Sequence, residues 1–90
     1  MIFPVMEMQN TFGNILRGLR EDRDLSQTDF GKAVGMTQRK VSYLETGKCE
    51  PSLDDLRSAA VFFNLSADYL LGLCDTPKPL YEKKKKLKGQ

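Results

Sequence analysis

Residues 26–47, SQTDFGKAVGMTQRKVSYLETG, are the stretch that most constrains the fold of this chain of 90 residues. Ser26 is followed three residues later by Asp29, and this spacing predicts a helix start, because each side chain accepts a hydrogen bond from the other residue's backbone N–H. Gly35 predicts the end of this short helix, since glycine adopts the left-handed conformation without strain. The predicted apolar face of the helix comprises Phe30, Ala33 and Val34.

A second short helix is predicted directly after the first. Thr37 is its predicted cap and Gly47 its predicted stop. Val41 and Leu44 lie three residues apart, a spacing that directs both toward the interior. The other side chains on this helix are polar or amphipathic and have no apolar role: Gln38, Arg39, Lys40, Ser42 and Tyr43. Two short helices joined by a tight turn indicate a helix-turn-helix, whose second helix can enter the major groove of DNA.

Three further helices are predicted around this motif. The first is capped by Thr11 or Asn10 and carries an apolar stripe at helical spacing: Phe12, Ile15, Leu16 and Leu19. After the motif, Ser52 and Asp55 repeat the reciprocal capping pattern, and Asn64 supplies a left-handed stop for the fourth helix. The predicted buried face of that helix comprises Leu53, Leu56, Ala59, Ala60 and Phe63.

A short fifth helix is predicted to begin after Ser66 and to end at Gly72, with Leu70 inward. Phe62 and Phe63 are adjacent, so we expect that both cannot point into one core. The one left outside would join Leu71 and Leu73 in an exposed apolar patch. The predicted fold class is therefore all-α, a compact five-helix bundle that contains the helix-turn-helix motif.

Five short segments carry a resemblance to a known family. They are LSQ at 25–27, VGMTQ at 34–38, LETGK at 44–48, PSLDDL at 51–56 and LSADYLLG at 65–72. In this order and spacing the chain resembles the phage-repressor and Cro-like helix-turn-helix family, the xenobiotic-response-element class of small bacterial and phage regulators. The resemblance extends over roughly residues 12–71 and implies a lambda-repressor-like DNA-binding domain. It also implies a partly buried ion pair between Arg20 and Glu45.

Four residues of the second motif helix are predicted to contact bases. Glutamine pairs with adenine and arginine with guanine through two hydrogen bonds each, and the resemblance places base readers at Gln38 and Arg39 and one turn later. Tyr43 is unusual for that later position, where it would meet a thymine methyl group or a phosphate. Ser42 reaches either a base edge or a phosphate. The alternative interpretation is that Gln38, Arg39 and Tyr43 are solvated surface residues.

Four residues are predicted to contact DNA phosphates. Gln27 opens the first motif helix, where free N–H groups and the helix dipole favour an anion, and the resemblance assigns it the same task. Thr37 lies at the equivalent end of the second helix. Lys40 and Lys48 are assigned by charge and position, since Lys48 lies in the loop beyond that helix. For Gln27, plain solvation of the helix start is the alternative.

The charge of the chain is distributed unevenly. Residues 1–77 contain 8 Lys and Arg against 11 Asp and Glu, a net charge of −3, whereas residues 78–90 carry a net charge of +5. DNA binding therefore requires positive groups gathered on one face. The predicted organisation is a flexible arm over 1–10, a DNA-binding domain over 11–74 and a disordered lysine-rich tail over 75–90.

The composition disfavours enzymatic, metal-binding and membrane functions. The chain has no histidine, and Cys49 and Cys74 are separated by 24 residues without a CxxC motif, so neither metal nor cofactor is expected. No convergent set of catalytic side chains is recognisable. No stretch approaches the roughly 20 apolar residues that cross a bilayer, which predicts a cytoplasmic protein.

The leading interpretation is a sequence-specific transcriptional regulator, a repressor of phage or mobile-element type that occupies a double-stranded DNA operator. The alternative is a protein-interaction module on the same fold, binding a protein partner as an antitoxin or antirepressor partner would. A homodimer through the fifth helix would place two recognition helices about 34 Å apart on an inverted repeat. A monomer is the competing expectation.

Overall fold

The computed structural model of the protein describes residues 11–80, and five α-helices follow one another in this range. They are α1 (Phe12–Asp22), α2 (Gln27–Val34), α3 (Gln38–Thr46), α4 (Leu53–Phe63) and α5 (Ala67–Leu70). No strand occurs between residues 11 and 80, and the all-α prediction is confirmed. The predicted arm at 1–10 and the lysine run at 83–86 lie outside the described residues. Within residues 11–80 no helix is both long and apolar enough to cross a membrane.

Local capping chemistry sets the helix boundaries, as predicted. Each helix begins after a hydroxyl residue whose side chain accepts a hydrogen bond from the backbone N–H three residues later: Thr11, Ser26, Thr37, Ser52 and Ser66. The Ser26 and Ser52 caps are reciprocal, with Asp29 and Asp55 accepting from the cap N–H. The stops at Gly35, Gly47 and Asn64 have φ of 77°, 82° and 55°. The sequence therefore specifies where α2, α3 and α4 begin and end.

The fifth helix is shorter than predicted. It ends at Leu70, and Leu71 is its C-terminal cap, whereas the predicted end was Gly72. Gly72 has φ of 79° and its N–H donates to the Tyr69 carbonyl, so it forms a turn beyond the helix. The following chain returns to the α4–α5 junction, where the Ser66 N–H donates to the Lys78 carbonyl at 2.8 Å.

The core collects one to three side chains from every helix. Five large side chains have relative exposures of 2% or less: Leu16, Phe30, Val41, Leu44 and Leu70. Ala59, Ala60 and Phe63 complete the inner face of α4. The main packing partners of α3 are α1 and α2, so α3 is held on one side and open on the other.

Two residues predicted to be buried are exposed. Leu53 is 82% exposed because it occupies the first turn of α4, at the edge of the core, where the buried residue is instead Asp55. Ala33 is exposed because α2 turns Phe30 and Gly31 inward. A Cβ at Gly31 would lie 2.5 Å from the Met36 carbonyl oxygen, so α2 presents its glycine to the turn that follows it.

Adjacent Phe62 and Phe63 both pack against the core, and the prediction that only one could do so is wrong. The Phe63 ring stacks on Phe30 with centroids 5.5 Å apart, and Phe62 meets Phe30 edge-on at 5.4 Å. Phe62 and Phe63 also meet each other edge-on with centroids 4.9 Å apart, so the three rings form one aromatic cluster. The Arg23 guanidinium lies 4.9 Å from the centre of the Phe63 ring and covers this aromatic cluster.

Candidate nucleic-acid interface

Helix α3 separates its apolar and polar side chains onto opposite sides. Val41 and Leu44 have exposures of 0% and 2%, whereas Gln38, Arg39 and Tyr43 are exposed. The interior placement of Val41 and Leu44 is as predicted. The outward side chains lie on a helix of nine residues capped at both ends, so a rigid element presents them to solvent.

A buried ion pair fixes the end of α3 against α1. The Arg20 Nε donates to Glu45 Oε2 at 2.7 Å, and Nη2 donates to Oε1 at 2.9 Å. Nη1 donates to the Leu25 carbonyl at 2.8 Å, which ties the α1–α2 turn to the same guanidinium. Hydrogen bonding to Glu45 raises the pKa of Arg20, so the guanidinium stays charged. The pair that the family resemblance implied is thus present.

Two glutamines connect this ion pair to the protein surface through side-chain hydrogen bonds. Gln27 Nε2 donates to Glu45 Oε1 at 3.1 Å, and Gln38 Nε2 donates to Gln27 Oε1 at 2.6 Å. Gln27 is the first residue of α2 and Gln38 the first residue of α3. The contact between them was not predicted from the sequence. Its only sequence signal is that both residues directly follow the cap of a short helix.

This network orients the Gln38 amide. Its Nε2 donates one proton to Gln27, which leaves the second N–H and the Oε1 acceptor for a ligand. One donor beside one acceptor is the pattern that pairs with N7 and the N6 amino group of adenine. The buried Arg20–Glu45 pair therefore determines which way an exposed amide points.

The cations around α3 differ in their surroundings. Arg39 has no acidic or aromatic partner within residues 11–80, whereas Arg17, Arg20 and Arg57 pair with carboxylates and Arg23 lies over aromatic rings. The Lys48 ammonium lies 5.5 Å from the centre of the Tyr43 ring. Arg39 is thus an exposed guanidinium whose hydrogen-bond donors have no partner in the described part of the chain.

The remaining predicted contact residues take part in local structure. Thr37 Oγ1 accepts from the Lys40 backbone N–H at 3.0 Å, and this bond caps α3. The Ser42 side chain is half-buried, and its carbonyl accepts from the Thr46 hydroxyl at 3.0 Å. The Lys40 ammonium lies 3.1 Å from Asp55 Oδ2 on α4. Arg39, Gln38, Tyr43 and Lys48 are therefore the more open members of the predicted set.

The family comparison gives a decisive match. The family described as "Helix-turn-helix domain" matches residues 11–71, which include all five helices. The chain belongs to this helix-turn-helix family. The family resemblance drawn from the five sequence segments is thereby confirmed.

Curated relatives of this helix-turn-helix chain come from a bacterium and a phage. The uncharacterized HTH-type transcriptional regulator YobD of Bacillus subtilis is 33% identical over 69 residues, which are 77% of this chain and 62% of that protein. The ImmF control region 10 kDa protein of Bacillus phage phi105 is 33% identical over 58 residues, 64% of each chain. This chain therefore spans less than two thirds of the length of both relatives.

Solved structures share the same fold. The P22 c2 repressor, crystallised with a synthetic operator, superposes with a TM-score of 0.67 at 28% identity, over 71% of this chain and 97% of that one. Bacillus thuringiensis PlcR, in complex with the peptide PapR7 and DNA, superposes with a TM-score of 0.61 at 24% identity, over 68% of this chain and 21% of PlcR. The second similarity concerns the fold alone.

Proposed function

We propose that the protein is a sequence-specific DNA-binding transcriptional regulator, a repressor of phage or mobile-element type, that acts in the cytoplasm by occupying an operator. The observation that carries this proposal is the arrangement of α3: its apolar side is fully buried, and its exposed side presents an oriented Gln38 amide beside an Arg39 guanidinium that has no partner within residues 11–80. Glutamine and arginine side chains are suited to reading adenine and guanine in the major groove. The similarity to the operator-bound P22 c2 repressor supports the same conclusion.

In this proposal α3 lies in the major groove with its N-terminal residues toward the bases. Gln38 and Arg39 supply the principal base contacts, and Tyr43 and Ser42 add contacts one turn later. Gln27 and Thr37 contact the phosphates beside the groove, since each lies at a helix start where backbone N–H groups have no partner in the helix. Lys48 contacts a phosphate from the turn after α3. The limits of the DNA-binding domain, residues 11 and 74, stay a prediction.

Reversing the charge at Arg39 is expected to weaken specific binding strongly while leaving the fold intact. The Arg39→Glu variant removes a contact that is worth about 1–3 kcal/mol of base discrimination and adds repulsion from the phosphates. We expect operator affinity to fall about 10-fold or more, measured by fluorescence anisotropy on a duplex selected with the wild-type protein. Arg39 is exposed and makes no ion pair within the described residues, so the thermal midpoint should stay unchanged.

Arg57→Glu is the matched control for this experiment. It makes the same change in net charge on an exposed arginine of α4 whose partner is the exposed Asp54. We expect it to bind the operator far more tightly than the Arg39 variant. Equal loss in both variants would mean that only overall charge matters, and full retention by the Arg39 variant would contradict the recognition face. If the wild type enriches no sequence from random DNA, the protein-interaction module becomes the better account.

We further propose that the regulator binds as a homodimer. Val61, Leu71 and Leu73 are 54%, 41% and 72% exposed at the end of α4 and beyond α5, and exposed apolar groups of this kind favour a self-complementary contact. Such a dimer would read an inverted repeat with half-sites about 34 Å apart. Sedimentation equilibrium should show a dimer that Leu71→Asp dissociates. The proposal would be contradicted if the wild-type protein sedimented as a monomer and bound a single half-site.

A further inference from the structure

The Lys40 side chain lies near the N-terminus of α3, where a positive charge is electrostatically unfavourable. Lys40 is the third residue of α3, where the aligned peptide dipoles carry partial positive charge and a cation is disfavoured. Its ammonium lies 3.1 Å from Asp55 Oδ2, on the first turn of α4. The ion pair therefore offsets the unfavourable position, and it joins two helices that are not main packing partners of one another.

The Asp55 carboxylate is held in place by the N-terminal cap of α4. Its Oδ2 also accepts from the Ser52 backbone N–H at 2.9 Å, and the Ser52 hydroxyl accepts from the Asp55 N–H at 3.0 Å. The Asp55 side chain is 10% exposed, against 41% for Lys40. Burial alone would raise the pKa of Asp55, but hydrogen bonds from Ser52 and Lys40 hold it below its ordinary value, so the carboxylate is charged. Lys40 thus contacts a fixed anion.

We propose that Lys40 is a positioning residue for DNA recognition: its ion pair with Asp55 ties the N-terminal turn of α3 to α4 and so sets how Gln38 and Arg39 are presented. This inference rests on the proposed function. The opposite end of α3 is already held by the Arg20–Glu45 pair, so the two ion pairs fix the helix at both ends. Among the described residues, by contrast, Lys48 has only the Tyr43 ring beside it, and its ammonium remains available to a phosphate.

The roles of Lys40 and Lys48 differ in their dependence on salt. A lysine that neutralises a phosphate contributes about 0.9 to the slope of log affinity against log salt concentration, whatever the DNA sequence. A positioning lysine contributes nothing to this slope. Its loss weakens only the contacts that depend on the placement of α3, which are the contacts to bases.

The experiment compares Lys40→Met with Lys48→Met, two variants with the same change of residue and charge. Anisotropy titrations use a selected operator and a random duplex over a series of salt concentrations, at a temperature where circular dichroism shows both variants folded. Lys48→Met should weaken binding to both duplexes and reduce the slope by about 0.9. Lys40→Met should leave the slope and the random-duplex affinity unchanged and lower operator affinity about 5- to 150-fold, the range of one base contact.

Two further variants keep the test independent of stability. Lys40→Arg retains a cation for Asp55 and should restore operator affinity. Asp55→Asn should lower operator affinity although it removes a negative charge, whereas simple electrostatics predicts tighter binding. The positioning role alone is overturned if Lys40→Met reduces the slope of log affinity against log salt concentration as Lys48→Met does. It is also overturned if Lys40→Met leaves the operator affinity unchanged. A wild type that binds neither duplex overturns the proposed function, and the role of Lys40 with it.

Discussion

Replacing Arg20 by methionine is expected to lower the free energy of unfolding by about 3–5 kcal/mol, because the change strands a buried carboxylate. The Glu45 side chain is only 3% exposed and would keep a single donor, Gln27, from the network described above. The Leu25 carbonyl would also lose its donor. A small domain at the lower end of the usual range, about 5 kcal/mol, would then be close to unfolding at ambient temperature. Urea denaturation followed by circular dichroism measures the loss.

Arg17→Met provides a matched control on the same helix. Arg17 pairs with Glu21 at 3.1 Å, but both side chains are more than half exposed. Exposed pairs of this spacing contribute about 0.3–0.5 kcal/mol, so this variant should be nearly as stable as the wild type. Combining Arg20→Met with Glu45→Leu should recover much of the lost stability, since the stranded charge is removed. Equal losses at Arg17 and Arg20 would contradict the interpretation that burial makes the Glu45 pair critical.

Replacing Gly13 by alanine is expected to destabilise the domain by about 1–3 kcal/mol, near the upper end of this range. A Cβ at this position would lie 2.5 Å from the Leu44 carbonyl oxygen and 2.6 Å from that of Glu45. These are backbone atoms of α3, so no side chain can rotate away to make room. Helix α1 would have to move away from the end of α3, where the Arg20–Glu45 pair also joins them.

Gly18→Ala is the control for this steric argument. Gly18 lies in the same helix, is exposed, and a Cβ there would meet nothing within 4 Å. Alanine at an exposed helical position is favoured over glycine by about 1 kcal/mol, so this variant should be more stable than the wild type. Thermal unfolding should separate the two variants by more than 10 °C, since about 4–8 °C corresponds to each kcal/mol in a domain of this size. A stable Gly13→Ala variant would contradict the close approach of α1 and α3.

The sequence predicted the features whose chemistry is local. A hydroxyl cap and its carboxylate lie three residues apart, so Ser26 with Asp29 and Ser52 with Asp55 are recognisable without any tertiary structure. The stops at Gly35 and Gly47 likewise depend on one residue's φ angle. The spacing of Val41 and Leu44 then indicated which side of α3 is buried. The opposite side was therefore predicted to be exposed.

The features that the sequence did not predict depend on how distant elements meet. Leu53 was predicted to be buried because its spacing from Leu56 puts both on one side of a helix. This spacing does not show that the first turn of α4 extends past the core, where Leu53 is exposed. The Lys40–Asp55 pair joins residues on two helices, and the contact between Gln27 and Gln38 spans the turn of the motif. Helical periodicity carries no information on such pairings. The residues of the candidate site were therefore predictable, but the links that orient them were not.

Selection of bound duplexes from a random DNA pool, done in parallel with the wild type and the Gln38→Ala variant, tests most directly whether α3 reads bases. The wild type should enrich a defined sequence that contains adenine at the position paired with Gln38 and guanine at the position paired with Arg39. Gln38→Ala should relax the preference at the adenine while retaining the guanine. Enrichment of one unchanged sequence by both proteins, or of no sequence by the wild type, would contradict the proposed recognition by α3.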